Sequence, residues 1–407
     1  MTSKKASISF IFATIFLDAL GIGILIPILP DLIRRFSSDP TFVSHYFGYF
    51  ISVYALMQFL ASPILGALSD RFGRRPILLV SLGGAVLDYI LMAYAPNLTI
   101  LFIGRVIAGL TGASMTVATA YIADISDDNT RSANFGMIGA AFGLGFIIGP
   151  AIGGGVGTFG HEYPFLAAAG LNLLNFVFGL FILPESLPKE LRRKVDFTKL
   201  NPFKSLVKIF TPSTNLALLW VYMLFVLAGQ VHPSSWALLT EFKFKWTPAD
   251  IGISLSVVGI TAAVVQGGLT RVLIPKMGEW KALIWSILIG VIAFAGYAFA
   301  NAGWVLYAIL IPSSIAGIGG PALQSLISRE TPSQEQGELQ GVLVSLASLT
   351  AIVGPLIYTE LFARMTKPEV VPPFPGAPYL LASLISIFCG IIIFIHYRGI
   401  KHENNSN

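Results

Sequence analysis

Twelve stretches of mostly apolar residues follow one another along the 407-residue chain, near 7–30, 46–68, 76–95, 99–123, 134–158, 164–183, 214–239, 249–273, 280–300, 303–326, 337–362 and 376–397. A bilayer core of about 30 Å is crossed by about 20 helical residues rising about 1.5 Å each. The pattern therefore predicts an all-α integral membrane protein with twelve transmembrane helices. The first stretch reaches Pro30 with no small-residue cleavage site to close it, so it reads as a first membrane helix and not as a signal peptide. Only 12% of residues are charged and 55% are hydrophobic, against about 25% charged in an average soluble domain; a water-soluble globule is excluded. The 40 glycines and 24 prolines are scattered through the apolar stretches, which excludes a disordered or collagen-like chain. The single cysteine, Cys389, excludes an intrachain disulfide.

Charge sets the orientation. With the N-terminus in the cytoplasm, 19 of the 26 Lys and Arg fall on the inner side, 6 on the outer side, and Arg105 within a span. The positive-inside rule then places both termini in the cytoplasm of a cell whose inner membrane holds the protein. The net charge of +5 is accounted for by topology, and nucleic-acid binding is discarded. The linker 184–213 carries seven basic residues, Lys189, Arg192, Arg193, Lys194, Lys199, Lys204 and Lys208, and separates an N-terminal six-helix half (1–183) from a C-terminal one (214–407). GFIIGPAIGG on span five and TAIVGPLIYT on span eleven carry matching pairs, Gly149-Pro150 and Gly354-Pro355, and GALSDRFGRRPILL after span two has a degraded echo, GGLTRVLIPKMGEWKALI, after span eight. Two pseudo-symmetric halves are an arrangement of secondary transporters, in which the substrate site lies near midplane between the repeats.

Three ionisable residues lie deep in spans, where a charge costs at least about 2.5 kcal/mol and is a functional hypothesis by default. Asp18 is about 17 Å from the inner end of span one, Asp88 about 18 Å into span three, and Arg105 about 9 Å from the outer face. At one depth, two acids competing for one arginine could take up and release a proton; a permanent ion pair fixing helix packing is the plainer alternative. In the turn after span two, Asp70 can cap the next helix and pair with Arg71, Arg74 or Arg75, and Gly73 permits the turn; such a turn can latch one conformation or simply anchor topology. Gly145, Gly149, Gly153 and Gly157 form a stripe on span five around Pro150, which suits close helix packing with a bend.

The turn GALSDRFGRR resembles the loop motif of the major facilitator superfamily. LDALGIGILIPILP, YALMQ, LDYILMAYAP, GRVIAGLTGA, FGLGFIIGPAIGG, GQVHPSSW, PALQSLIS and GELQGVLVSLASLTAIVGPL, spread over nearly the whole chain, resemble the tetracycline efflux group of drug-proton antiporters. The resemblance implies that Asp18, Asp88 and Arg105 match acidic and basic positions in the group's central cavity and that Asp70, Arg71 and Arg74 match its cytoplasmic gate; proton coupling is expected of the first three, gating of Asp70, Arg71, Gly73, Arg74, Gly149 and Pro150, and substrate contacts of Gln58, Gln230, Trp236, Gln266 and Gln324. It fails at two positions. Classical members carry a histidine on span eight and an aspartate on span nine, where this chain has Ala262 and Gly290. Glu360 is the one acid in view as a replacement. His232, placed by the pattern near an outer helix end, is a proton site or a helix-end histidine satisfied by backbone or water, and Trp236 is a ligand platform or part of an interfacial belt.

The expected function is proton-coupled export of an amphipathic, drug-like compound, with weak or no transport of tetracycline itself. An uptake symporter or facilitator for a small metabolite is the alternative, against which the Gly-Pro signature of the antiporter branch argues. A channel suits a two-fold repeat less well. A membrane-embedded enzyme would need a metal or nucleophile constellation such as His pairs at i and i+4, which no span contains. The partners expected are a small-molecule substrate, protons and the lipid bilayer, with no cofactor and no metal.

Overall fold

The computed structural model describes residues 2–112, 114–127, 130–192, 216–332 and 335–406. Among them, twelve helices are long and apolar enough to cross a membrane: α1 (Ser7–Arg34), α2 (Pro40–Phe72), α3 (Arg74–Tyr94), α4 (Leu98–Ile125), α5 (Asn134–Gly157), α6 (Glu162–Phe181), α7 (Leu216–Phe244), α8 (Pro248–Met277), α9 (Glu279–Phe299), α10 (Gly303–Arg329), α11 (Glu338–Met365) and α12 (Ala377–Tyr397). Helices satisfy every backbone polar group within the segment, which is what a hydrocarbon environment demands. Several run past the apolar stretch that announces them. The sequence pattern starts α2 near 46 and ends α7 near 239, whereas the helices begin at Pro40 and end at Phe244; hydropathy marks only the portion that is apolar, and the helix continues into its polar ends. Of the predicted basic linker, Arg193, Lys194, Lys199, Lys204 and Lys208 lie outside the described residues.

Packing separates two units. The first comprises Met1–Asp39, Tyr49–Pro202 and Trp246–Gly259, and the second Pro40–Gly48, Phe203–Lys245 and Ile260–Asn407. Each therefore includes the opening turns of one helix from the other half of the sequence. In the first, the core is built from Phe10, Ile11 and Ile15 of α1, Leu78 and Leu82 of α3, and Val117, Tyr121 and Ile122 of α4. The glycine stripe of α5 faces α1: a Cβ on Gly145, Gly149 or Gly153 would come within 2.4, 2.5 and 2.6 Å of the carbonyl oxygens of Phe16, Leu20 and Ile24. Gly157 is looser, its nearest neighbour being the Ile28 side chain at 3.6 Å. The opposite side of α5 takes the start of α8, where a Cβ on Gly252 would sit 2.2 Å from the Pro150 carbonyl oxygen. Small residues thus let three backbones approach as large side chains could not.

The second unit is centred on Leu219 and Tyr222 of α7, Leu283 and Ile287 of α9, Leu323 and Ile327 of α10, Leu343 and Leu346 of α11, and Cys389 and Ile393 of α12. The Cys389 thiol is buried in this core. Its helices are irregular at depth. An α7 break falls at Gln230, between helical segments Leu216–Gly229 and Val231–Phe244, where Pro233 has no N–H to offer the Gly229 carbonyl. α8 widens to a π-turn at Val265–Leu269, and α10 tightens to a 3-10 turn at Ser314–Ile318 after Pro312. The Ser286 hydroxyl of α9 donates to the Ala316 carbonyl in that turn at 2.5 Å, beside the bond that carbonyl accepts from the Gly319 N–H.

Candidate functional site

The deep charges of the first unit divide into a pair and a single acid. α4 is itself broken, with helical segments Leu98–Thr111 and Ser114–Ile125. In its first segment Arg105 faces Asp88 of α3. The guanidinium meets the carboxylate with two nitrogens, Nη2 on Oδ2 and Nε on Oδ1, the latter at 3.2 Å. Asp88 is 2% exposed and Arg105 7%. Gly104 makes room, since a Cβ there would lie 2.8 Å from Asp88 Oδ1. The guanidinium also lies over the rings of Phe50 and Tyr54 of α2, at 5.8 and 5.6 Å from their centroids. A planar, always-charged group held bidentately and stacked on aromatics is fixed in place. The pair is neutral as a whole, which is how two charges survive burial.

Asp18 is not part of that pair. Its carboxylate is hydrogen-bonded to the Ser114 side chain, at the first residue of the second segment of α4, and no cation shares it among the described residues. Helix N-termini favour an anion, so the α4 break supplies Asp18 with a hydroxyl and a helix start in place of a counter-ion. The phenols of Tyr54 and Tyr89 lie within its electrostatic reach, and the Tyr89 ring fills the space over Gly21, one turn along α1. In this conformation Arg105 is paired with Asp88 and Asp18 is held by Ser114, so a competition of the two acids for one arginine is not seen in it. Gln58 holds the break together, donating to the Gly112 carbonyl at 2.9 Å and lying 3.2 Å from the Tyr54 hydroxyl.

The turn between α2 and α3 is a denser network than its sequence suggests. Arg74 is buried and bonds Asp70 Oδ1 at 2.5 Å, Ser69 Oγ at 2.7 Å and Asp124 Oδ2 of α4 at 3.2 Å. Arg71 is exposed and lies over Phe72, 5.1 Å from its centroid. Asp70 pairs as expected but does not cap α3. That role belongs to Glu185, just beyond α6, whose carboxylate accepts from the backbone N–H groups of Arg74 (2.8 Å), Arg75 (3.3 Å), Ser186 (3.0 Å) and Leu187 (3.1 Å). Asp70 precedes Gly73 on the end of α2, whereas Glu185 arrives from across the unit at the open helix start. Gly73 is required twice over: its φ is +106°, and a Cβ would fall 2.1 Å from Glu185 Oε2. Arg75 closes the ring by donating to the Gly179 and Leu180 carbonyls at the end of α6. Glu185 and Asp124 were missed in the sequence; an acid immediately after an apolar span was the available signal.

In the second unit the candidate amides are scattered. Gln266 is exposed within the π-turn of α8, a distortion frequent at functional sites. Gln324 of α10 is bonded to Tyr222, and Gln230 sits at the α7 break with its side chain against Gly354 of α11. Trp236 is 1% exposed and packed within a group of aromatic rings. Glu360, the one acid considered as a replacement, is paired with His45 of α2 at 2.6 Å and bonded by Arg364 at 2.5 Å near the end of α11. His232 lies twelve residues before the end of α7 at Phe244, in the first turn of its second helical segment.

The family model of the Major Facilitator Superfamily matches residues 11–355. The chain is 44% identical over 389 residues to the class C tetracycline resistance protein of Escherichia coli, covering 96% of each chain, and 39% identical over 378 residues to the class G tetracycline resistance protein of Vibrio anguillarum, covering 92% of this chain and 93% of that one. Among solved structures it is similar to the human organic anion transporter MFSD10, with a TM-score of 0.69 and 25% identity over 96% of this chain and 99% of that one.

Proposed function

Because the chain belongs to the Major Facilitator Superfamily and is a secondary active transporter of the drug-proton antiporter kind, a multi-pass inner-membrane protein and not an enzyme, we propose that it exports an amphipathic, drug-like compound in exchange for a proton carried at Asp18. The observation that carries this reading is the contrast between Asp18 and Asp88. A carboxylate fixed bidentately on arginine has no occasion to take up a proton, whereas one held by a serine hydroxyl and a helix start can exchange it when its surroundings change. Asp88 and Arg105 act as a positioning pair that ties α3 to α4 and keeps the arginine's charge away from Asp18. Both termini lie in the cytoplasm in this reading, as the 19 to 6 distribution of basic residues favours.

Gating belongs to the α2–α3 turn, with Asp70, Arg71, Gly73 and Arg74 stabilising one conformation, and with Gly149 and Pro150 letting α5 bend against α1. The substrate is more apolar or more neutral than a metal-chelated tetracycline. Ala262 and Gly290 offer neither charge nor hydrogen bond, and the polar side chains of the second unit include Gln230, His232, Gln266, Gln324 and Gln340 beside aromatic surface. The similarity to tetracycline resistance proteins favours a second reading, in which tetracycline itself is exported.

Everted membrane vesicles energised by a proton gradient test both. Uphill accumulation of ethidium that collapses with an uncoupler and falls at least tenfold in Asp18→Asn, with protein still in the membrane, is expected. Full accumulation in Asp18→Asn refutes the assignment, and strong tetracycline accumulation in preference to ethidium establishes the second reading of the substrate.

A further inference from the structure

Within the second unit, His232 is the ionisable His, Lys, Arg, Asp or Glu that lies farthest from both ends of its span, sixteen residues after Leu216 and twelve before Phe244. Its imidazole is enclosed by four aromatic rings from three helices: Trp236 of α7 at 5.8 Å, Phe294 and Tyr297 of α9 at 5.6 and 5.5 Å, and Tyr379 of α12 at 5.4 Å between centroids. The enclosing rings also pack on one another, Trp236 on Tyr297 at 5.5 Å and Tyr297 on Tyr379 at 5.5 Å. Trp236, Tyr297 and Tyr379 are almost wholly buried, while His232 and Phe294 keep part of their surface open. One polar contact reaches the imidazole, the Tyr379 hydroxyl at 3.2 Å from Nδ1. The titratable groups that face it are phenols, Tyr379 from α12 and Tyr297 from α9, and Tyr297 is itself engaged by Ser313 at 2.9 Å. No carboxylate or cation acts on His232 among the described residues.

A histidine needed only for packing would be better replaced by an aromatic or aliphatic side chain, since its polar ring is costly to bury. The enclosing rings bring no counter-charge, and a charged imidazole is costly to bury among them, so a proton on it is exchanged only where this pocket opens to water. His232 also lies two residues beyond the α7 break at Gln230, the place in this helix where backbone hydrogen bonding is interrupted. Phe294 links it to the wall at Gly290, where the Phe294 ring edge is the nearest group to an added Cβ, at 4.0 Å.

We propose that His232 is the proton-carrying residue of the second unit, neutral while enclosed by Trp236, Phe294, Tyr297 and Tyr379 and charged when this pocket opens to water, its change of charge read by the α7 hinge. With Nδ1–H donating to the Tyr379 oxygen, Nε2 keeps the lone pair that accepts a proton from water; the imidazolium so formed returns that proton to water when the opposite face opens, and nothing else is consumed. Tyr379 is a positioning residue that fixes the tautomer. The proposal rests on the drug-proton antiport reading and adds a second titrating site to Asp18.

The test uses the full chain in proteoliposomes with ethidium as probe, comparing accumulation driven by an imposed pH gradient with counterflow, the exchange of labelled for unlabelled ethidium in the absence of a gradient. The expected result for His232→Gln is at least a tenfold fall in the ratio of gradient-driven accumulation to counterflow. Tyr379→Phe is expected to move the pH of half-maximal accumulation while preserving its maximum. An unchanged ratio and pH profile in His232→Gln overturns the proposal, and so does a parallel loss of both activities in His232→Gln combined with an unmoved pH profile in Tyr379→Phe, which marks a packing role. If His232→Gln retains gradient-driven accumulation while Asp18→Asn loses it, this inference fails and the antiport reading stands. Wild-type protein that exchanges ethidium but does not respond to the gradient refutes the antiport reading and this inference with it.

Discussion

The two units solve the problem of polarity inside a membrane in opposite ways. The first pairs most of its buried formal charge, with Arg105 on Asp88 at depth and Arg74 on Asp70 and Asp124 at the turn, and leaves Asp18 to the Ser114 hydroxyl. The second keeps formal charge near its helix ends and fills the depth with aromatic rings, amides and distorted helical turns. An ion pair is geometrically exacting, and removing one partner leaves the other stranded. An aromatic group tolerates rearrangement, because its energy comes from area and weakly directional ring contacts. The first unit is thus suited to hold positions, and the second to change them.

That contrast is broken most directly at Arg105. Arg105→Ala leaves Asp88 buried and unpaired, with an expected cost of about 3–5 kcal/mol; the yield of monodisperse protein in detergent should fall sharply. Asp88→Asn combined with Arg105→Gln removes both charges and should recover most of that yield. A single variant as stable as wild type would show that the pair contributes nothing to holding α3 on α4. In the second unit, Trp236→Ala should lower stability by about 3 kcal/mol through the cavity it leaves, while Trp236→Phe retains most of the packing, as thermal unfolding in detergent would register. Equal losses for the two variants would point to the indole N–H instead of ring area.

Smaller effects sharpen the account of the turn. Gly73→Ala places a side chain at a φ of +106° and against Glu185, with an expected cost of about 1–3 kcal/mol. Glu185→Gln keeps acceptor geometry at one oxygen and loses the charge at the α3 start, an effect of about 1 kcal/mol. Asp70→Gln, at a pair whose carboxylate stays open to water, should change stability by less than about 1 kcal/mol. If Asp70→Gln nonetheless abolishes transport while Glu185→Gln spares it, the turn acts in gating through Asp70 and not through the stability of the α3 start.

The twelve spans were legible because membrane burial imposes a long apolar run on each helix, and the α5 stripe because close backbone approach leaves a four-residue spacing of glycines. The division between Asp88 and Asp18 was not. Depth along a helix follows from counting residues, but which acid faces Arg105 depends on helix rotation and on Gly104 leaving room, neither of which hydropathy encodes. Glu185 was hidden for a related reason: it caps a helix 111 residues away in sequence. The helix start beside His232 is the α7 break and not the outer end of the span, which runs five residues beyond its apolar stretch, and the enclosure of His232 by α9 and α12 could be read only from their packing.

In the proposed mechanism Asp18, and not the arginine-paired Asp88, exchanges the transported proton. Infrared difference spectroscopy on purified protein in lipid, recorded across a pH step, reads the C=O stretch of a protonated carboxyl group directly. The account predicts such a band in wild type and its loss in Asp18→Asn. A band of full intensity in Asp18→Asn would contradict it.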